Sequence, residues 1–285
     1  MTTLQNTAQR PHAPVPVGKI VLYAVLLAGA VTMLVPFLWM ILTSFKSVGE
    51  SIRIPPTIWP ARWITANYKE VISTLPMFNL YSNTLLLIFF RILLASIFSS
   101  MAGYAFAKLR FPGRNLMFGL VLAQNMLPAQ IFIIPQYLML AKMNALNSMF
   151  ALVFPGLVSA FGTFFLRQTY MSLPDDLAEA ARIDGCNQWQ TFYRILLPLT
   201  KTALMALAVF TAVFAYGDLM WPLIANTDLN KMTLASGLSV LRGQFTTKYP
   251  LLMAGSVLAM LPMIVLYSVF QRQFVEGIAL TGTKA

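Results

Sequence analysis

Apolar runs alternate with short polar segments along the chain: Ile20–Leu42, Leu80–Ala107, Leu116–Leu138, Met149–Leu166, Thr202–Pro222 and Leu251–Phe270. Each is near the ~20 residues a helix needs to cross ~30 Å of hydrocarbon. None alternates in and out as a barrel strand would, and helices are the other way to satisfy a backbone in lipid. The pattern therefore predicts an all-α polytopic membrane protein with six transmembrane helices over residues 20–271, between tails at 1–19 and 272–285. The first run is longer than the apolar part of a signal peptide and leads into Thr43-Ser44-Phe45-Lys46 rather than a small-residue cleavage site. It reads as an uncleaved helix. Pro36, Pro128, Pro135, Pro155 and Pro262 interrupt several runs and are candidate kinks.

The polar segments set orientation and carry the most information. The tight loop Lys108-Leu109-Arg110-Phe111-Pro112-Gly113-Arg114 holds three cations and no acid. The positive-inside rule puts it in the cytoplasm, and an even number of spans then puts both termini there. Trp59, Trp63, Tyr68 and Tyr81 flank the second span as an outer aromatic belt would. The longest cytoplasmic segment, residues 168–201, reads as two short helices joined by a bend. Pro174 suits a first helical position, Asp175, Asp176 and Glu179 favour the positive end of a helix dipole, and Gly185 stands where the helix would stop. Beyond it, Trp189, Phe192, Tyr193 and Leu196 recur at helical spacing and make one apolar face. Such an island either lies on the bilayer or docks on a partner. The small Ala180 and Ala181 beside Glu179 favour docking, because they permit close backbone approach.

Composition agrees with the membrane reading: 58% of residues are hydrophobic and 10% charged, where a soluble domain is nearer a quarter charged. The net charge of +11 suits membrane lipid with anionic headgroups. Cations sit singly at the ends of apolar runs rather than in a basic stripe, which argues against nucleic acid. The sole cysteine, Cys186, rules out an intrachain disulfide, and the sole histidine, His12, leaves no histidine cluster for a metal or a catalytic triad. No Gly-x-x-x-x-Gly-Lys-Ser/Thr loop is present, so ATP is not bound by such a loop here.

The elbow matches a specific spacing: Glu179-Ala180-Ala181, three residues, Gly185, nine residues, then Ile195-Leu196-Leu197-Pro198. On these residues the chain resembles the membrane subunits of ATP-binding-cassette importers. The likeness extends over nearly all of it and narrows to the carbohydrate-uptake branch, to permeases of the smaller maltose-transporter type. Supporting stretches are Asn67-Tyr68, residues 103–114, Phe165-Leu166-Arg167-Gln168 and Trp221-Pro222-Leu223. Two departures are Thr202, where relatives often carry proline, and Tyr216-Gly217-Asp218, where a Trp-Asn-acid run is commoner. The resemblance implies that Glu179, Ala180, Ala181, Arg182, Asp184 and Gly185 couple the chain to an ATPase, and that Phe274, Glu276 and Gly277 touch it from the C-terminal tail. It implies a non-enzymatic permease subunit of the inner membrane whose partners are a second homologous permease, two ATPase subunits holding ATP and Mg, and an extracytoplasmic solute-binding protein. The implied solute is a sugar or oligosaccharide, with glycerol phosphate esters or another polyol as the alternative.

Candidate solute-path residues follow from the cost of polarity in lipid. Arg91 lies mid-span, where a charge usually faces protein or water; it either lines the path or pairs with a partner subunit. Asp218, near the end of the fifth span, either meets solute or caps a helix. Gln124, Asn125 and Gln130 could bond hydroxyls but do not share one face of a straight helix. An ion-coupled transporter would need paired charges within the spans and usually internal repeats, and the chain offers only Arg91 and Asp218 there.

Overall fold

The computed structural model describes residues 18–243 and 247–272, plus the helical backbone of 17 and 273–282. The α-helices are α1 (Val17–Ser44), α2 (Val48–Ser51), α3 (Ala66–Thr74), α4 (Met77–Lys108), α5 (Arg114–Met126), α6 (Ile133–Lys142), α7 (Met149–Val153), α8 (Ala160–Met171), α9 (Asp176–Ile183), α10 (Gln188–Gln190), α11 (Leu197–Leu199), α12 (Lys201–Gly217), α13 (Met220–Ala225), α14 (Leu234–Leu238) and α15 (Tyr249–Gly282). No strand occurs among the described residues. The fold is all-α, as the pattern predicts.

Three helices, α1, α4 and α15, are long and apolar enough among the described residues to cross a membrane unbroken. Pro36 and Pro262 lie inside α1 and α15 without ending them. The third and fourth predicted spans are bent, at 103° between α5 and the turn leading into α6 and at 46° between α7 and α8. The first break corrects the expectation of a straight helix over Leu116–Leu138. Pro128 disfavours helical geometry at Leu127, which turns extended at φ −89°, ψ 135°. The second break follows Pro155, and Ser159 starts α8 by accepting from Gly162 N at 2.9 Å. The fifth span also ends earlier than expected: α12 stops at Gly217 and Asp218 is extended.

Helix α4 is the hub, packed against α8 and α12, while α15 packs on α1, α3 and α12. Between helices in lipid there is little hydrophobic driving force, so close contact of small residues does the work. A Cβ at Gly103 would stand 2.9 Å from the Arg167 backbone nitrogen, and one at Gly162 would stand 2.6 Å from Ser99 Oγ. These two positions let α4 and α8 touch.

The end of the bundle opposite the 108–114 loop is tied by side chains acting on backbone. Asn67 Nδ2 donates to Ser44 O and Lys46 O at 2.7 and 3.0 Å, and Asn83 Nδ2 donates to Asn230 O and Met232 O at 2.9 Å each. Lys46 is buried, donates to Thr57 O and sits 4.7 Å over the Trp39 ring. Of the expected aromatic belt, Trp59 and Trp63 are exposed as a belt requires. Tyr68 and Tyr81 are instead packing groups, hydrogen-bonded to Ser44 Oγ and Leu258 O at 2.7 Å each.

Candidate functional site

Two features are candidates for function: the elbow at residues 168–201 and a cavity where the broken helices meet. In the elbow, α9 ends at the C-cap Asp184, and Gly185 takes the left-handed φ of +80°. Gly185 N–H bonds Arg182 O at 3.0 Å and Cys186 N–H bonds Ala181 O at 2.9 Å. That bond pair is the Schellman stop, which glycine permits at little cost. Asn187 then caps the next helix, bonding Gln190 reciprocally as a capping box. The six residues Thr191–Leu196 adopt π geometry. Pro198 has no N–H for Arg194 O and its ring crowds that carbonyl, a strain the wider turn relieves. Helix 188–199 meets α12 at 76°, so the elbow stands well off the span it feeds.

The elbow's two faces differ. Glu179, Ala180, Arg182, Asp184 and Gly185 are exposed, and so is the apolar Ile183 at 86%. Ala181 is buried at 2%, on the side of α9 that packs against the π-turn, and therefore belongs to the elbow's interior rather than to its outer face as expected. The second helix keeps its apolar face: Phe192 and Leu196 are the buried part, and the more exposed Trp189 ring packs on Phe192 and Tyr193 with centroids 5.3 and 6.1 Å away. Pro174 lies just ahead of the N-cap Asp175 rather than within the first turn.

The cytoplasm-assigned end of α4 cradles this elbow. Tyr104 OH donates to Gln188 Oε1 at 2.8 Å and its ring packs on Tyr170 and Phe192. Lys108 Nζ donates to Leu173 O at 2.7 Å and to Asp175 Oδ1 at 2.5 Å. That hydrogen bond and the lysine charge hold the Asp175 carboxyl below the usual aspartate range. A cleft of about 890 Å³ separates the loop from α9, edged by Arg110, Arg114, Glu179 and Arg182. Tyr104 and Lys108 of the 103–114 stretch thus hold the elbow, while Arg167 of the 165–168 stretch ties α8 to α4 through Phe106 O. Phe274, Glu276 and Gly277, expected to contact an ATPase, lie outside the described residues.

All five candidate solute-path residues line one cavity of about 510 Å³: Arg91, Gln124, Asn125, Gln130 and Asp218. Gln124 and Asn125 end α5 while Gln130 lies past the break, so the turn at Pro128 brings together amides that a straight helix would separate. Arg91 Nη1 and Asp218 Oδ2 form an ion pair at 3.0 Å, 127 residues apart in sequence. Arg91 Nη2 also donates to Leu152 O at 2.7 Å, and its side chain packs where a Cβ on Gly156 would lie, 2.8 Å from Arg91 Cδ. Sequence reasoning missed this pairing, which no local signal encodes. It also missed Trp221, whose Nε1 donates to Ala151 O at 2.8 Å from the cavity wall.

Comparison with known proteins gives a consistent picture. The family described as the inner membrane component of binding-protein-dependent transport systems matches residues 95–279. The arabinooligosaccharides transport system permease protein AraQ of Halalkalibacterium halodurans is 33% identical over 252 residues, covering 87% of this chain and 90% of that protein. The sn-glycerol-3-phosphate transport system permease protein UgpE of Salmonella typhi is 34% identical over 232 residues, covering 79% and 83%. Among solved structures, a chain of a bacterial ABC transporter involved in import of the acidic polysaccharide alginate superposes with a TM-score of 0.76 at 22% identity, over 93% of this chain and 100% of that one.

Proposed function

The chain belongs to the family of inner membrane components of binding-protein-dependent transport systems, and from that premise we propose that it is one permease subunit of an ATP-binding-cassette importer of a sugar or oligosaccharide. It forms half of a translocation path beside a second, homologous permease. An extracytoplasmic binding protein delivers solute, and two ATPase subunits, which hold ATP and Mg, grip the elbow. The chain is multi-pass over residues 20–271 with both termini cytoplasmic, and Phe274, Glu276 and Gly277 in the tail reach the ATPase pair. The chain itself breaks no bonds. ATP closes the ATPase pair, and the membrane conformation that fits the closed pair is favoured in proportion to its tighter binding.

One observation carries this reading. The elbow presents Glu179, Ala180, Arg182, Asp184 and an exposed Ile183 on a helix whose other side, at Ala178 and Ala181, is buried against its own chain. An apolar side chain amid charges, on a rigidly stopped helix, suits a protein socket. The test is Glu179→Lys in the complete assembly in proteoliposomes. Solute-stimulated ATP hydrolysis and uptake should both collapse while the ATPase subunits alone keep their basal rate; wild-type stimulation in this variant rejects docking by α9. Import of glycerol phosphate esters is the second reading, favoured by the 34% identity to UgpE.

A further inference from the structure

We infer that this chain's half of the path selects an uncharged polyhydroxylated solute over a phosphate ester, with Asp218 as the hydroxyl acceptor. The inference rests on the cavity being part of the translocation path, as proposed above. Its charged lining consists of Arg91 and Asp218, already neutralised against each other at 3.0 Å. The remaining polar lining is dominated by the amides of Gln124, Asn125, Gln130 and Gln136. Amides both donate and accept without net charge, as hydroxyl groups do, and so match a polyol rim. Phe161, Phe214 and Trp221 add aromatic surface for the apolar C–H faces of a sugar ring.

A phosphate monoester carries about −1.5 to −2 charges and needs a surplus of cationic or backbone donors once stripped of water. The cavity has no surplus of positive charge among the described residues: its one cation, Arg91, is matched by Asp218 at 3.0 Å and tied by an Nη2 hydrogen bond to Leu152 O, with its Nε buried against Gly156. At the first turn of α8, which borders the cavity, Ser159 Oγ takes the Gly162 N–H. Asp218, by contrast, keeps Oδ1 without a partner among the described residues, and its side chain is 22% exposed. That oxygen can accept a solute hydroxyl while Oδ2 stays on Arg91.

Charge-selective labelling tests this without knowing the solute. In the complete assembly with Cys186→Ser, Gln130→Cys places a lone thiol of this chain on the cavity wall. Its modification rates by a trimethylammonium and a sulfonate thiosulfonate are divided by the rates for free 2-mercaptoethanol. A neutral cavity gives a normalised ratio within about threefold of unity, and Asp218→Asn should shift it toward the anionic reagent by about tenfold or more, since one uncompensated charge in a low-dielectric cleft steers ions on that scale. A tenfold preference for the sulfonate reagent with Asp218 in place overturns the inference, a result that does not depend on the Asp218 variant folding. The path reading has its own readout: trapping the ATPase pair with ATP and vanadate should change the labelling rate of the same introduced thiol at least about fivefold, in line with a shift between alternating-access states. An unchanged rate removes the cavity from the path and the inference with it.

Discussion

Gly185→Ala isolates the backbone of the elbow from its side chains. No heavy atom lies within 4 Å of the position a Cβ would take, so the added methyl meets nothing inside the chain. The cost is conformational: at φ +80° an L-residue bears about 1–2 kcal/mol relative to glycine. That penalty falls on the conformer whose bonds from Gly185 and Cys186 fix how α9 is presented. Its population relative to unbent alternatives should therefore drop roughly 5- to 30-fold. In proteoliposomes, half-maximal solute-stimulated ATP hydrolysis should need correspondingly more ATPase subunit, with the ATPase's basal rate unaltered. Gly185→Asn provides the control, because asparagine enters the left-handed region more readily and should recover most of the loss. If alanine couples like wild type, the bend is not what the ATPase reads. If asparagine fails as badly as alanine, the partner is rejecting any side chain and the conformational reasoning is wrong.

Four further outcomes follow from single contacts. Gly162→Ala puts a methyl 2.6 Å from Ser99 Oγ and 3.1 Å from both Leu207 methyls, so overpacking of ~1–3 kcal/mol should lower the melting temperature in detergent by several degrees, and Ser99→Gly in the same chain should restore most of it. Arg91→Met leaves Asp218 without its ion partner and Leu152 O without this donor; removing one side of such a pair costs about 3–5 kcal/mol when fully buried, and less here because Asp218 is partly open. Arg91→Met with Asp218→Asn should melt higher than Arg91→Met alone, because both have lost the bond to Leu152 O and only the single variant keeps an unpaired carboxylate at Asp218. Trp221→Phe should cost about 1–3 kcal/mol by orphaning Ala151 O, measurable as a lower melting temperature with α-helical content retained. The Asp175 carboxyl is depressed by Lys108, so their tether contributes stability above the ordinary aspartate pKa of ~3.9 and loses it as pH falls through the lower folded value. Hydrogen-exchange protection factors across 173–179 should hold at neutral pH and drop in acid, and Lys108→Gln should lower them already at pH 7.

What the sequence discloses depends on how local the cause is. The Gly185 stop and the acidic first turn of α9 are set by residues within five positions of one another, and the elbow is readable for that reason. The burial of Ala181 is not, since it depends on where the π-turn packs. Pro128 is plain in the sequence, yet its 103° consequence depends on tertiary packing that lets the chain turn back. Assuming a straight helix scattered Gln124, Asn125 and Gln130 around its circumference; the bend converts the same residues into one wall. The Arg91–Asp218 pair spans 127 residues, and only the fold brings its members together.

The breaks and the cavity are one construction. Pro155 has no N–H, so Ala151 O loses its partner four residues on, and in hydrocarbon an unsatisfied carbonyl costs several kcal/mol. Trp221 Nε1 fills that place from α13 at 2.8 Å, and Arg91 Nη2 reaches the adjacent Leu152 O from α4 at 2.7 Å. The donors that make the break in the fourth span tolerable are therefore cavity-wall residues supplied by α4 and by the short helix α13. Arg91 in turn holds Asp218, at the break between α12 and α13. Displacing α7 from α4 would strip Leu152 O of its donor and displacing it from α13 would strip Ala151 O, so either shift carries the cost of an unsatisfied carbonyl. The α5 turn at Pro128 lacks such ties, since its lining amides bond no other span among the described residues.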